Sequence, residues 1–328
     1  MTTPPSTSDH TIRRTSLPIN YMMALGRICQ GQWLGQCGNT SLSSALVPFG
    51  VDVSPKQIRK LLGKTWSQAR HGFSQKKLVK AAEAYGFSGE IVWGRKPKCR
   101  VRDDEDCQGF RARLNTHVKL GRPAILSVDN HEHWVAIVGS LDGNVVVMDP
   151  DVDNVGFSAW TDAELESRTH CSEDGDGDEH LAILLSPKQG VSSKIHITRE
   201  VYELANSDGE TSGARLGILA DDLFQLLVRS GVTEDGADGP SLHVWMQAHR
   251  SLLLENVAHW VHKSCRGAGV NDKGVAARFD SYQSCAAAFP YISIPDAPRV
   301  VAALLVQFSI LLVAHATVTI DEELMSGE

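Results

Sequence analysis

Between residues 37 and 86 the apolar positions recur at helical spacing. Around Cys37 and the run LSSAL, the positions Thr40, Leu42 and Ala45 do not follow a strand's two-residue alternation, and Pro48 ends the segment, so a helix is expected to begin near Cys37. Ser54-Pro55 announces a second helix, with serine as the cap and proline at the first helical position. A third is expected from Ser74 to Gly86, with Leu78, Ala81, Ala82 and Tyr85 on one stripe and glycine as the stop. The period then shortens. SGEIVW, PAILSVD, HWVAIVGS, NVVVMDP and LAILL (181–185) are short, β-branched runs separated by turn residues such as Gly121-Arg122-Pro123 and Asp142-Gly143. Leading helices followed by closely linked strands predict an α+β fold, with helices packed on an antiparallel sheet.

Past Pro187 the pattern returns to long helical stretches, at 214–231, 241–264, 274–289 and 295–316, with the acidic, glycine-rich loop TEDGADGP (233–240) among them. A mostly α-helical second domain is therefore expected. The division read from the chain is a disordered tail over 1–20, an α+β domain over 21–190 and a helical domain over 191–328. No internal repeat is present. Between Val300 and Ala314 only Gln307 and Ser309 are polar, a run that fits either a membrane anchor or a buried helix. A spanning helix needs about 20 mostly apolar residues, which this run reaches only by admitting His315, Thr317 and Thr319, so the buried helix is the reading adopted.

The bulk numbers narrow the function. A chain of 328 residues has room for two units, and 42% hydrophobic with 22% charged residues describes an ordinary globular protein. A net charge of −7 leaves no basic footprint for a phosphate backbone, so nucleic acid is not an expected partner. The seven cysteines, at 29, 37, 99, 107, 171, 265 and 285, form no C-x-x-C pair, which suggests neither a disulfide framework nor a zinc ribbon. The N-terminal MTTPPSTSDHTIRRTSLPIN lacks the apolar core of a secretory signal, and a reducing cytoplasm, where a lone thiol stays free, is the expected location.

Candidate chemistry gathers on three separated segments. A cysteine attacks as its thiolate, which a helix N-terminus and a neighbouring imidazole both favour, and QCGNTSL puts Cys37 at such a helix start with Gly38 allowing close backbone approach. His133 opens the strand HWVAIVG. Sixteen residues later Asp149 ends the next strand, so a tight antiparallel hairpin brings a carboxylate near the imidazole and fixes its tautomer. An oxyanion donor is also needed, and Gln30, Gln32 and Gln36 all precede Cys37. His131, a neighbour of His133, lies before the apolar run and is expected to be exposed.

In this order, QWLGQCGNTSL, AAEAYGF, GRPAILSVD, HWVAIVG and VVVMDP resemble the papain-like cysteine peptidases, and within them the C39-like group related to bacteriocin-processing peptidases, over about residues 28–187. The resemblance implies a papain-like fold, Cys37, His133 and Asp149 as a catalytic triad and an upstream glutamine in the oxyanion hole. Family members usually carry that glutamine six residues before the cysteine, where this chain has Gly31 between Gln30 and Gln32, and Gln32 is the residue assigned here. Asn39 stands where the family often has proline. The implied activity is hydrolysis of a peptide or protein amide through an acyl-enzyme, with no cofactor. Two alternatives share the residues: acyl transfer to an amine, as in a transglutaminase, and a catalytically silent peptide-binding module. Partner protein binding is an expectation for the helical domain.

Other chemical signals carry less. LLGKTW ends like a phosphate loop but has Ile58 where the first glycine is required. SEDGDGDE lacks the glycine and closing glutamate of a calcium loop counted from Asp174, and reads as a solvated loop. Glu255, His259 and His262 share one helical face, with His249 outside it, opposite Leu253, Leu254, Val257, Trp260 and Val261; this is a solvated stripe and not a ligand set.

Overall fold

The computed structural model describes residues 22, 25, 26, 28, 36–51, 53–63, 73–95, 106–129, 131–151, 156–169, 179–188, 191–207, 212–232, 238–264 and 272–325. Helix α1 (Cys37–Leu46) is buried along its whole length and has no solvent face. Three of its four hydroxyls turn onto carbonyls: Thr40 Oγ1 donates to Gln36 O at 3.0 Å, Ser41 Oγ to Trp134 O at 2.7 Å and Ser43 Oγ to Val53 O at 2.5 Å. Helix α2 (Pro55–Leu62) starts in a capping box between Ser54 and Gln57, with proline in the first turn. Helix α3 (Gln75–Ala84) runs to a stop at Gly86, whose φ of 85° is cheap only for glycine.

A six-stranded antiparallel sheet follows, in the order β1-β6-β2-β3-β4-β5. Its strands are β1 (Phe87–Arg95), β2 (Ala124–Val128), β3 (His133–Leu141), β4 (Asn144–Asp149), β5 (Gly156–Trp160) and β6 (Glu179–Pro187). Two helices, α4 (Cys107–Lys119) and α5 (Asp162–Thr169), lie between strands. Both faces of the sheet are covered. Ile125, Trp134, Ala136, Val146, Met148, Leu181 and Ile183 belong to the core shared with α1 and α3. Leu126, Val135, Ile137, Val147, Ala182 and Leu184 pack with Phe110, Leu114 and Val118 of α4 and Leu165 of α5. Two-sided burial is why β2, β3 and β4 read as solid apolar runs instead of alternating ones.

The β3–β4 hairpin turns at Asp142-Gly143, both at positive φ (51° and 87°), as a two-residue turn with matching twist requires. Its register is not uniform. Gly139 pairs with Val146 while Ile137 pairs with Val147, so Val138 is left unmatched as a bulge. Because side chains alternate with period two, that single extra residue changes which side chains share a face. In uniform register from the turn, position 133 would stand opposite position 152 and on the other face from Asp149. With the bulge, His133 and Asp149 lie on the same face.

The rest of the chain is helical: α6 (Arg199–Asn206), α7 (Ser212–Arg229), α8 (Leu242–Ser264), α9 (Asp272–Ala286) and α10 (Pro298–Met325). The expected fold class, helices on an antiparallel sheet followed by a mostly helical segment, is the one observed. The helical segment is packed directly onto the sheet portion. Arg199 forms an ion pair with Asp142 in the hairpin turn, Ala159 N–H of the edge strand β5 donates to Tyr202 Oη at 3.3 Å, and Lys194 N–H donates to Pro48 O at 2.7 Å. One cluster of buried side chains continues from Leu42 and Trp134 through Leu204 and Leu219 to Phe279 and Phe308. The apolar run in α10 puts Leu304, Phe308 and Leu312 into that cluster at one-turn spacing while Val306 and Ile310 are exposed, and among the described residues no helix is long and apolar enough to cross a membrane.

His117 joins α4 to the sheet, its Nε2–H shared between Pro123 O at 3.1 Å and Leu185 O at 3.0 Å. Burial lowers its pKa below the ordinary histidine value of 6.5, and the positive charge of Arg122 adds to this, against an opposing effect of the two carbonyls and Glu90. The unfolded chain therefore takes up this proton at a higher pH than the folded one, so the contribution is intact above pH 6.5 and is lost as pH falls below it. Thermal unfolding followed between pH 7.5 and 5 should show Tm falling on acidification, with a shallower fall in His117→Gln, whose amide still donates but does not titrate.

Candidate active site

Cys37 is the first residue of α1 and is 6% exposed. The cap position is Gln36, whose side chain makes no capping bond, and the first helical bond runs from Thr40 N–H to Gln36 O at 3.0 Å. The backbone donors of Cys37, Gly38 and Asn39 thus point out of the helix end, which concentrates positive potential beside the sulfur. Gly38 lies close to the sheet side: a Cβ there would meet Leu78 at 3.3 Å, slightly tight, and Trp134 Cδ1 at 3.5 Å, an ordinary contact, so α1 is seated near β3.

His133 begins β3 and Asp149 ends β4, at one end of the sheet. His133 Nε2–H donates to Asp149 Oδ1 at 2.7 Å, with the two side chains only 14% and 12% exposed. The same oxygen accepts Asp151 N–H at 2.9 Å, so the carboxylate is held from two sides. The His133 ring also hydrogen-bonds with Cys37; since Nε2 is committed to Asp149, Nδ1 is the nitrogen left for the sulfur. Burial alone would disfavour a charged imidazole, but the hydrogen bonds and charges of Asp149 and Cys37 outweigh it and push His133 up to about 10.

Cys37, His133 and Asp149, drawn from three distant segments, are thus brought together. Gln32 and Gln30 lie outside the described residues. His131 differs from expectation: it is half-buried, with Nδ1 3.0 Å from Ser127 Oγ and its ring edge-on to Trp93 at 5.8 Å. Its φ of +64° follows from the tight turn before β3, where Asp129 is also left-handed at +51°. Glu255 and His259 are exposed, and the side chain of His262 lies outside the described residues. Three supports of the site were not apparent in the sequence: the Asp151 N–H, the Ser41 hydroxyl and the Val138 bulge. None has a composition signal, because each depends on which backbone group lies opposite.

No family model matches the chain, and no curated protein matches it. Among solved structures it is similar to the peptidase domain of Streptococcus ComA, a bifunctional ABC transporter involved in a quorum sensing pathway, at 21% identity over 48% of this chain and 96% of that one, with a TM-score of 0.34. It is also similar to a double glycine motif protease from an AMS/PCAT transporter in complex with the leader peptide, at 18% identity over 48% of this chain and 89% of that one, with a TM-score of 0.31.

Proposed function

We propose that this chain is a cysteine peptidase or closely related amide hydrolase that acts on a peptide or protein substrate through Cys37, His133 and Asp149. The observation that carries this reading is the His133 ring hydrogen-bonded on one side to Asp149 and on the other to Cys37, at the uncapped start of a buried helix. The Cys37 thiolate attacks the substrate carbonyl carbon, forming a C–S bond and moving the π electrons to oxygen. The oxyanion is met by the Cys37 backbone N–H, with Gln32 proposed as the second donor. His133 then gives its proton to the leaving nitrogen, the C–N bond breaks, and a thioester remains. Water attacks that thioester while His133 takes its proton back, releasing the acid and the thiolate. Asp149 keeps the ring in one tautomer and orientation throughout. The helical segment, packed against the turn of the hairpin that bears His133 and Asp149, is proposed to select the protein target.

Cys107 is a built-in control, since it too opens a helix, α4, but beside the capping carboxylate of Asp106, which opposes a thiolate where an imidazolium would favour one. At pH 7, iodoacetamide should alkylate Cys37 at least about tenfold faster than Cys107, and His133→Ala should abolish the difference. Site-resolved mass spectrometry of the time course measures this; equal rates in the natural chain would refute the proposal. Incubation with a pool of unstructured peptides, with hydroxylamine added in parallel, then separates hydrolysis from transfer to an amine by the mass of the new termini.

A second outcome concerns pH. Because His133 must be protonated to release the amine, peptide hydrolysis should fall as pH rises through about 10. Asp149→Asn keeps a carbonyl acceptor for the ring but removes the charge that helps raise it, so that limb should move down from about 10 in the direction of the ordinary 6.5, with kcat/KM at pH 7 falling about 100-fold. A basic limb that stays near 10 in the variant would mean that Asp149 does not govern the ring.

A further inference from the structure

The Ser41 hydroxyl is fully buried and donates to the main-chain oxygen of Trp134 at 2.7 Å. Ser41 lies one turn after Cys37 on the same helix, and Trp134 directly follows His133 on β3. A single side-chain bond thus joins the helix bearing the sulfur to the strand bearing the imidazole, one residue from one and one turn from the other. We propose that Ser41 is a positioning residue for the reaction, fixing the distance between the Cys37 sulfur and the His133 ring.

Two contacts bound that distance from opposite sides. At Gly38 a methyl group would meet Leu78 at 3.3 Å and Trp134 Cδ1 at 3.5 Å, so α1 lies close against both side chains and a nearer approach to β3 would have to displace them. Movement away is opposed by apolar packing, which has no direction and tolerates sliding, and by the Ser41 bond, which is directional and loses strength over a few tenths of an ångström. Trp134 is itself fixed, since it pairs with Ser127 across the β2–β3 ladder. The helix is therefore pinned to a rigid strand where a shift is felt most by the thiol–imidazole contact. An error of 1 Å between reacting groups costs about 100-fold in rate, so a hydrogen bond of ordinary strength has a large kinetic lever here.

Ser43 supplies the comparison. It sits on the same helix, is equally buried, and donates to Val53 O, a loop carbonyl with no connection to His133. The inference rests on the proposed reading of the site, and its test uses the full chain with alkylation of Cys37 by iodoacetamide as the probe. Ser41→Ala should slow Cys37 alkylation at pH 7 by about tenfold and move the basic limb of peptide hydrolysis below that of the natural chain, because a more distant sulfur raises His133 less. Ser43→Ala should lower Tm by a similar amount and leave both readouts unchanged. Ser41→Cys, which keeps the volume and offers only a weak donor, should also slow alkylation, and serves if the alanine variant does not fold. The positioning role is overturned if the folded Ser41 variants alkylate at the natural rate, or if Ser43→Ala slows alkylation as much as Ser41→Ala. Equal reactivity of Cys37 and Cys107 in the natural chain would instead remove the underlying reading of the site.

Discussion

The pairing of β3 with β4 is the constraint on which the site depends. Both strands are covered on each face, so their register is fixed by which side chains enter which core, and a slip of one residue would turn Val135, Ile137 and Val147 out of one and into the other. The turn at Asp142-Gly143 sets the phase at one end of the hairpin, and the catalytic candidates stand at the other. Between them the unmatched Val138 reverses the alternation once. The bulge thus reconciles a turn and a hydrogen-bonded pair of side chains, His133 and Asp149, whose spacings would otherwise put them on opposite faces.

Seating a carboxylate and an imidazole in a mostly buried setting is costly unless both are satisfied. Asp149 is satisfied by His133 and by the Asp151 N–H, and His133 by Asp149 and Cys37. Such a group is weak support for stability, and each bond it makes constrains where the two side chains stand. The helical segment adds to that fixity. Arg199 at the hairpin turn and Tyr202 at the edge of β5 hold the far end of the same strands, and the core that begins under α1 continues without a break into α7, α9 and α10. Movement of the helices relative to the sheet would have to break that core.

Those features set by local chemistry were legible in the sequence. The α2 start was announced by Ser54-Pro55, the hairpin by Asp142-Gly143 and the start of α1 by the loss of alternation after Cys37. Elements held by a few scattered contacts were not. In α4 only Phe110, Leu114, His117 and Val118 are buried among polar and charged residues, so its stripe is thin, and β5 is five residues long, with Gly156 before Phe157 and only Ser158 and Ala159 between Phe157 and Trp160. Of the site, the three side chains and their order along the chain were readable, because each falls at the end of a strongly patterned element. How they meet was not readable: the bulge, the Asp151 amide and the Ser41 hydroxyl act through backbone groups, which every residue carries alike.

The start of α1 shows how stability and chemistry compete for the same atoms. Helices α2, α4 and α6 are capped by the side chains of Ser54, Asp106 and Thr198, each of which accepts a first-turn N–H. A cap of this kind is worth about 1 kcal/mol, and replacing it by a residue that does not cap forgoes that stability. Helix α1 forgoes it, with Gln36 at the cap position and no side-chain bond. Burial on all sides holds the helix by other means, since Leu42, Ala45 and Leu46 contribute to the core and the hydroxyls of Thr40, Ser41 and Ser43 are bonded to carbonyls. A capping carboxylate at position 36 would occupy the N–H donors and set a negative charge beside the sulfur, opposing a thiolate and competing with an oxyanion for the same groups. An uncapped N-terminus on a helix stabilised elsewhere keeps those donors available to negative charge arriving from outside the helix, and it does so at a helix start beside the His133 ring.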